Sequence, residues 1–220
     1  MRDARLLIRA LADPDSVARL DAGQWTALIA AARAESLIGS LACRLRDVGV
    51  PDGIRRILDD VRRDHDRGRT QALWEAEMAG RALAPLGLPV ILLKGPAYPA
   101  AGLPAGEGRS IGDLDILVPR DALAAVQAAL LGAGWEWVKE DAYDDLYYRR
   151  WMHELPPLIH RERDRMIDVH HTILPPTARP TPDAAAMVAD SVTLPNGLRV
   201  LAPADMVVHA AAHLFADGDL

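Results

Sequence analysis

The sequence predicts an α+β fold: a helical N-terminal region, residues 1–87, then a small mixed β-sheet core with flanking helices, residues 88–220. Two observations predict it. Up to about residue 87, apolar residues recur at three- and four-residue spacing, the period of a helix. At Gly87-Leu-Pro89 the texture changes to short, uncharged, β-branched runs separated by Gly- and Pro-rich segments. An order of helices first, then strand, loop, strand, helix and further strands, suits a sheet with helices packed around it.

The elements follow in order. "DAGQWTALIAAARAESLIGSLACRLRDVG" (21–49) reads as helix, with Gly49-Val-Pro51 as its stop. "DGIRRILDDVRRDHDRGRTQALWEAEMAGRALAPLG" (52–87) continues the pattern, and the charges of "RRDHDRGR" form a solvated face. "PVILL" (89–93) is a buried strand, and "KGPAYPAAGLPAGEGRS" (94–110) reads as a loop. "DLDILV" (113–118) is a second strand. "PRDALAAVQAALLGAG" (119–134) is a helix, opened by Pro119 and Asp121 and closed by glycines. "WEWVKE", "LYYRRWM", "ELPPLIH" and "RMIDVHHTI" read as short strands, and "ADMVVHAAAHLF" closes the chain as a helix.

Composition narrows the function. The 220 residues are 50% hydrophobic and 25% charged, enough to bury a core without disulfides. The single cysteine, Cys43, lies on an apolar helical face and reads as a small buried hydrophobe; with no second thiol, a reducing cytoplasm is the expected location. No run reads as a signal peptide or a membrane span, so no membrane partner is expected. A net charge of −6 disfavours a long nucleic acid as partner. Arginine carries nearly all the positive charge, so Lys94, one of only two lysines, stands out.

The chemistry concentrates in "GRSIGDLDILVP" (108–119). In a strand, Asp113 and Asp115 share a face, roughly 6–7 Å apart. Leu114, Ile116 and Val118 then point the other way, into a core. Two ionised carboxylates on one face need water, a proton or a cation between them. "RMIDVHH" supplies a third acid, Asp168, in an apolar strand, and His170 shares its face. If that strand lies beside "DLDILV", three carboxylates converge. Such an oxygen set favours Mg²⁺ or Mn²⁺, and a pair of such ions is the usual equipment for nucleotidyl transfer. In "LLKG", Lys94 puts a cation at a strand end, as a phosphate contact or as a snorkelling lysine, and Gly95 opens the backbone to a ligand. Arg109, beside Ser110, either neutralises the aspartates or holds a phosphate. His209 and His213 stand at ligand spacing on a helix, but Ala210 follows His209 where a zinc-protease motif would need glutamate, so they read as core or interface residues.

Together, "ILLKG" (91–95), "RSIGDLDILV" (109–118) and "IDVHH" (167–171) resemble the nucleotidyltransferases of the DNA-polymerase-β superfamily. More narrowly, the chain is similar to a bacterial group of uncharacterised nucleotidyltransferases, from about residue 20 onward; "HELPPLIH" (153–160) and "LAPADMVVHAAAH" (201–213) share in the likeness. The chain departs from the superfamily's Gly-[Gly/Ser] signature, which here is Lys94-Gly95-Pro96. Members of the group also continue past the last helix here, so a further C-terminal helical part is expected. The resemblance implies that Asp113 and Asp115 bind two metal ions and that Asp168 completes the catalytic one and helps deprotonate the acceptor. It implies that Lys94, Gly95, Arg109 and Ser110 serve the nucleotide's phosphates, and that His170 and His153 stand behind the ligands or face the acceptor. The expected activity moves NMP from an NTP, with ATP the foremost donor, to a hydroxyl or phosphate on a small molecule, a modified peptide or a protein, releasing pyrophosphate. A catalytically degenerate, antitoxin-like binding partner is the alternative, and a metallohydrolase built on His153, His170, His209 and His213 a further one.

Overall fold

The computed structural model describes residues 2–217, and side chains from residue 4 to residue 216. The C-terminal part expected past Leu220 lies outside the described residues. The chain divides into two compact units, residues 1–71 with 103–110, and residues 72–102 with 111–220. The boundary expected at residue 87 therefore falls inside the second unit.

The first unit is helical. It holds α1 (Arg2–Ala12), a 3-10 turn (Pro14–Arg19), α2 (Ala22–Ala34), α3 (Ile38–Arg44) and the first part of α4 (Asp52–Leu83). Asp21 and Gln24 cap α2 reciprocally: Gln24 N–H donates to Asp21 Oδ1 at 2.8 Å, and Asp21 N–H to Gln24 Oε1 at 2.9 Å. Leu7, Val17, Trp25, Leu28, Leu41, Leu45 and Leu58 fill its core. Arg55 donates to the carbonyls of Leu45, Arg46 and Val48, the chain leaving α3, which would otherwise lack partners. Gly39 and Gly108 touch backbone to backbone, so a Cβ on either would overlap the other; Gly108 also has φ +67°. The "RRDHDRGR" stretch is the expected solvated face, with Asp59–Arg62, Asp60–Arg63 and Asp64–Arg67 pairs one turn apart. Cys43 is half-buried, and burial pushes its thiol pKa up, which leaves it a poor nucleophile.

The second unit, containing the rest of α4, is α+β as expected. In chain order it adds β1 (Ile91–Leu92), α5 (Lys94–Ala100), β2 (Leu114–Leu117), α6 (Leu123–Gly132), β3 (Trp135–Trp137), α7 (Ala142–Trp151), β4 (Leu158–His160), β5 (Met166–His170), α8 (Ala184–Asp190), β6 (Val192–Thr193), β7 (Arg199–Val200) and α9 (Pro203–Asp217). The strands form one mixed sheet in the order β3-β4-β5-β2-β1-β7-β6. β2 runs antiparallel to β1 and parallel to β5. Leu92, Leu114, Ile116, Val118, Ile167 and Val169 cluster with Val126 and Leu130 of α6 and with Ala76, Ala79 and Leu83 of α4. Ile91, Leu93 and Leu117 alternate with those residues and bury against Ile173, Met187 and Leu201.

Two of the expected elements differ in type, and α8, β6 and β7 were not expected at all. The Gly- and Pro-rich stretch after β1 is not all loop: it opens with α5, although Pro99 lies inside the helix. Pro96 stands in the first turn, where an N–H has no partner to lose, and Gly95, Pro96, Ala97 and Pro99 are buried. Tertiary packing holds this short helix. "LYYRRWM", expected as a strand, belongs to α7. Asp141 caps it through the N–H groups of Tyr143 and Asp144, with acids in its first turn and Arg149 and Arg150 in its last. These helix-end interactions outweigh the strand preference of its tyrosines. No described helix is long and apolar enough to cross a membrane.

Candidate functional site

The site begins with strand alternation. Asp115 shares a face of β2 with Leu117, two residues on. Leu117 is buried under the cluster of Ile91, Ile173 and Met187, while Asp113 is exposed just before the strand. One face thus passes from apolar core to acid over five residues. β5 lies parallel beside β2 with Asp168 directly across from Asp115. One carboxylate oxygen from each of Asp113, Asp115 and Asp168 lies within 4.8 Å of the other two.

Asp115 is only 1% exposed and is held from two sides. Lys94 Nζ and His170 Nε2 each sit 2.9 Å from Asp115 Oδ1. Burial alone would raise the Asp115 pKa; the hydrogen bond and charge of His170, joined by Lys94, outweigh it and keep the carboxyl below its ordinary range. Lys94 shows the counterpart: burial pulls against its charge, and Asp115 more than restores it, so its pKa rises. Lys94 also has φ +46°, a left-handed conformation that costs a non-glycine residue energy.

For Asp168 and Glu154 burial prevails over the nearby positive charge. Burial, with the charges of Glu154 and Asp115, pushes Asp168 up to about 6. Glu154 is raised as well, first by burial. The described cluster is thus short of positive charge, and three convergent carboxylate oxygens are the donor set a hard divalent cation takes. Asp113, Asp115 and Asp168 fit a Mg²⁺ or Mn²⁺ ion by donor chemistry and proximity.

Glu154 is the residue that sequence reasoning missed. Leu155 N–H donates to Val169 O and His171 N–H to His153 O, both at 2.9 Å, which lays residues 153–155 antiparallel along the end of β5. An isolated bridge pairs Glu154 with His170. Its signal was the motif "HELPPLIH", which drew notice for its histidine. Of the other expected residues, Gly95 is buried on α5, where a Cβ would meet only ordinary contact with Ile111. Arg109 and Ser110 are exposed residues of the first unit and are not among the groups the second unit itself gathers. His213 stacks on His209 at 6.4 Å between ring centroids.

His209 is buried, and burial lowers its pKa to about 4, helped by the charges of His170 and Lys94. The fold therefore holds it neutral. Below pH ~6.5 the unfolded chain takes up a proton that the folded chain refuses until about pH 4. Its contribution to stability is complete above that window and lost as pH falls through it, by roughly 3 kcal/mol. Urea unfolding of the wild type and His209→Gln at pH 8, 6 and 4.5 checks this. The wild type should lose ground to the variant on acidification; a constant difference would show that His209 is not held neutral.

Two hollows lie away from the acids. One of about 580 Å³ is lined by Val118, Pro119, His171 and Pro175, and one of about 810 Å³ by Leu174, Pro180, Val208 and Phe215.

A family model described as "Uncharacterised nucleotidyltransferase" matches residues 21–220. No curated protein and no solved structure matches the chain.

Proposed function

The chain belongs to the uncharacterised nucleotidyltransferases, and on that premise we propose that it transfers a nucleoside monophosphate from a nucleoside triphosphate, ATP foremost, to an acceptor hydroxyl or phosphate. The observation that carries the reading is the register Asp115↔Asp168 with Asp113 at the mouth of β2, three carboxylates within one cation's reach. In the proposed reaction an acceptor oxygen attacks the α-phosphorus, the bond to the β-phosphate oxygen breaks, and pyrophosphate leaves. The proton of an acceptor hydroxyl passes to Asp168. Asp113 and Asp115 would hold two divalent ions, and Asp168 would join them at one. When bound, such ions supply charge for the triphosphate and the leaving pyrophosphate. Lys94 holds Asp115 ionised and, with Gly95, would meet the phosphates. A small molecule, a peptide or a protein is the acceptor class that a net charge of −6 favours over a long nucleic acid.

The test is a thermal-shift scan of wild type and Asp113→Asn/Asp115→Asn with ATP, GTP, CTP and UTP, each with and without Mg²⁺. A nucleotide at 100 times its Kd adds about 2.7 kcal/mol to the folded state. We expect a Mg²⁺-dependent rise in Tm with ATP in the wild type and none in the double variant. No rise with any nucleotide would overturn the reading and favour a non-catalytic binding partner.

A further inference from the structure

We propose that His153, Glu154 and His170 form a second cation site, separate in its ligands from the three aspartates, that takes a zinc-like transition-metal ion. This does not rest on the nucleotidyl-transfer reading.

The geometry comes first. One ligand atom from each of the three residues lies within 4.8 Å of the other two. Glu154 Oε2 is 3.3 Å from His170 Nδ1 and 3.7 Å from His153 Nε2. Ligands about 2.1 Å from a tetrahedral ion stand about 3.4 Å apart. Two of the three edges therefore already have the span of such an ion's shell.

The second observation is His170 itself. It is 1% exposed, and its Nε2 bonds Asp115 Oδ1 at 2.9 Å. An ionised carboxylate only accepts, so Nε2 carries the hydrogen of that bond. That buried Nδ1 has no hydrogen-bond partner. It faces a carboxylate oxygen at 3.3 Å, out of hydrogen-bonding alignment. A cation between Nδ1, Glu154 and His153 would give that buried nitrogen a partner. A ligating histidine that gives its other N–H to a carboxylate is the usual support of a metal centre, and Asp115 supplies it here.

The donor set fixes the class of ion. Two imidazole nitrogens and one carboxylate oxygen suit zinc and its neighbours, whereas magnesium prefers oxygen alone. His153 and Glu154 are each about one-fifth exposed, which leaves a side open to water as a further ligand. The backbone bonds that fix residues 153–155 against β5 hold two ligands in place relative to the third. An ion there would lock the His170–Asp115 hydrogen bond and so position Asp115.

The full chain, stripped with EDTA, is titrated with Zn²⁺ by calorimetry and with Co²⁺ by visible absorption. We expect one Zn²⁺ per chain and a nitrogen-ligated Co²⁺ spectrum that Zn²⁺ displaces and Mg²⁺ does not. His153→Ala and Glu154→Gln should each weaken Zn²⁺ by about 10–100-fold, and Asp113→Asn should leave it unchanged. No Zn²⁺ binding, or binding lost in Asp113→Asn and kept in His153→Ala, overturns the site. The nucleotide scan separates the two readings. Zn²⁺ bound through His153 in a chain that ignores nucleotides keeps this site and sinks nucleotidyl transfer. Nucleotide binding without Zn²⁺ does the reverse.

Discussion

Asp115→Asn and Asp168→Asn should each lower nucleotidyl transfer by about 10³-fold or more, because in the proposed reaction each supplies a charge that would hold the cations on the phosphates. The two variants should part company in stability. Asp115 is a buried anion held by Lys94 and His170, so its loss strands a half-buried lysine and lowers Tm. Asp168 is ionised against burial and against Glu154 and Asp115. Its folded-state pKa of about 6 lies above the ordinary carboxylate value. Between pH ~4 and 6 the metal-free folded chain therefore binds more protons than the unfolded one, and this residue's contribution turns unfavourable as pH rises through that window. Asp168→Asn should then raise the Tm of EDTA-treated protein at pH 8, and raise it less at pH 5. An inactive but more stable variant rules out unfolding as the cause. Two measurements decide: pyrophosphate release with each variant, and melting curves at both pH values. Full activity in Asp168→Asn would sink its role in catalysis.

The second large effect is expected at Lys94. Lys94→Met leaves Asp115, 1% exposed, with His170 as its remaining close partner. Removing one partner of a buried pair costs about 3–5 kcal/mol. Lys94→Gly loses the same charge but relieves a backbone at φ +46°. It should therefore be less destabilising than Lys94→Met by about 1 kcal/mol. Chemical denaturation of the three proteins gives both numbers. Equal stability of Lys94→Met and wild type would mean that Asp115 does not depend on the lysine.

Much of this arrangement was legible because strand geometry is local. The alternation of Asp113, Leu114, Asp115 and Ile116 told which way each side chain points before any partner was known. Asp168 was legible for the same reason: an acid in an apolar strand needs company. What stayed hidden depended on contacts between distant segments. Glu154 comes to the site by a backbone bridge outside any regular strand, and nothing in "HELPP" announces where that segment will lie. At the start of α5 proline and glycine speak against a helix in isolation, and burial overrides them. The α7 reading failed differently. The cap at Asp141 and the Asp145–Arg149 pair are present in the sequence, but Tyr147, Tyr148 and Trp151 speak for a strand when helix ends are left out of account. The boundary at 87 followed a change in texture, whereas α4 carries its helical pattern from one compact unit into the other.

The parallel pairing of β2 with β5 has a kinetic consequence. Asp115 and Asp168 are 53 positions apart (168 − 115), and α6, β3, α7 and β4 lie between them in the chain. Contacts so distant in sequence are slow to form, because a long loop must close first. If β2 and β5 join only after the folding barrier has been crossed, a cation bound by both strands cannot lower that barrier. It acts instead as a brake on the way out, lengthening the lifetime of the folded chain while leaving its rate of formation unchanged.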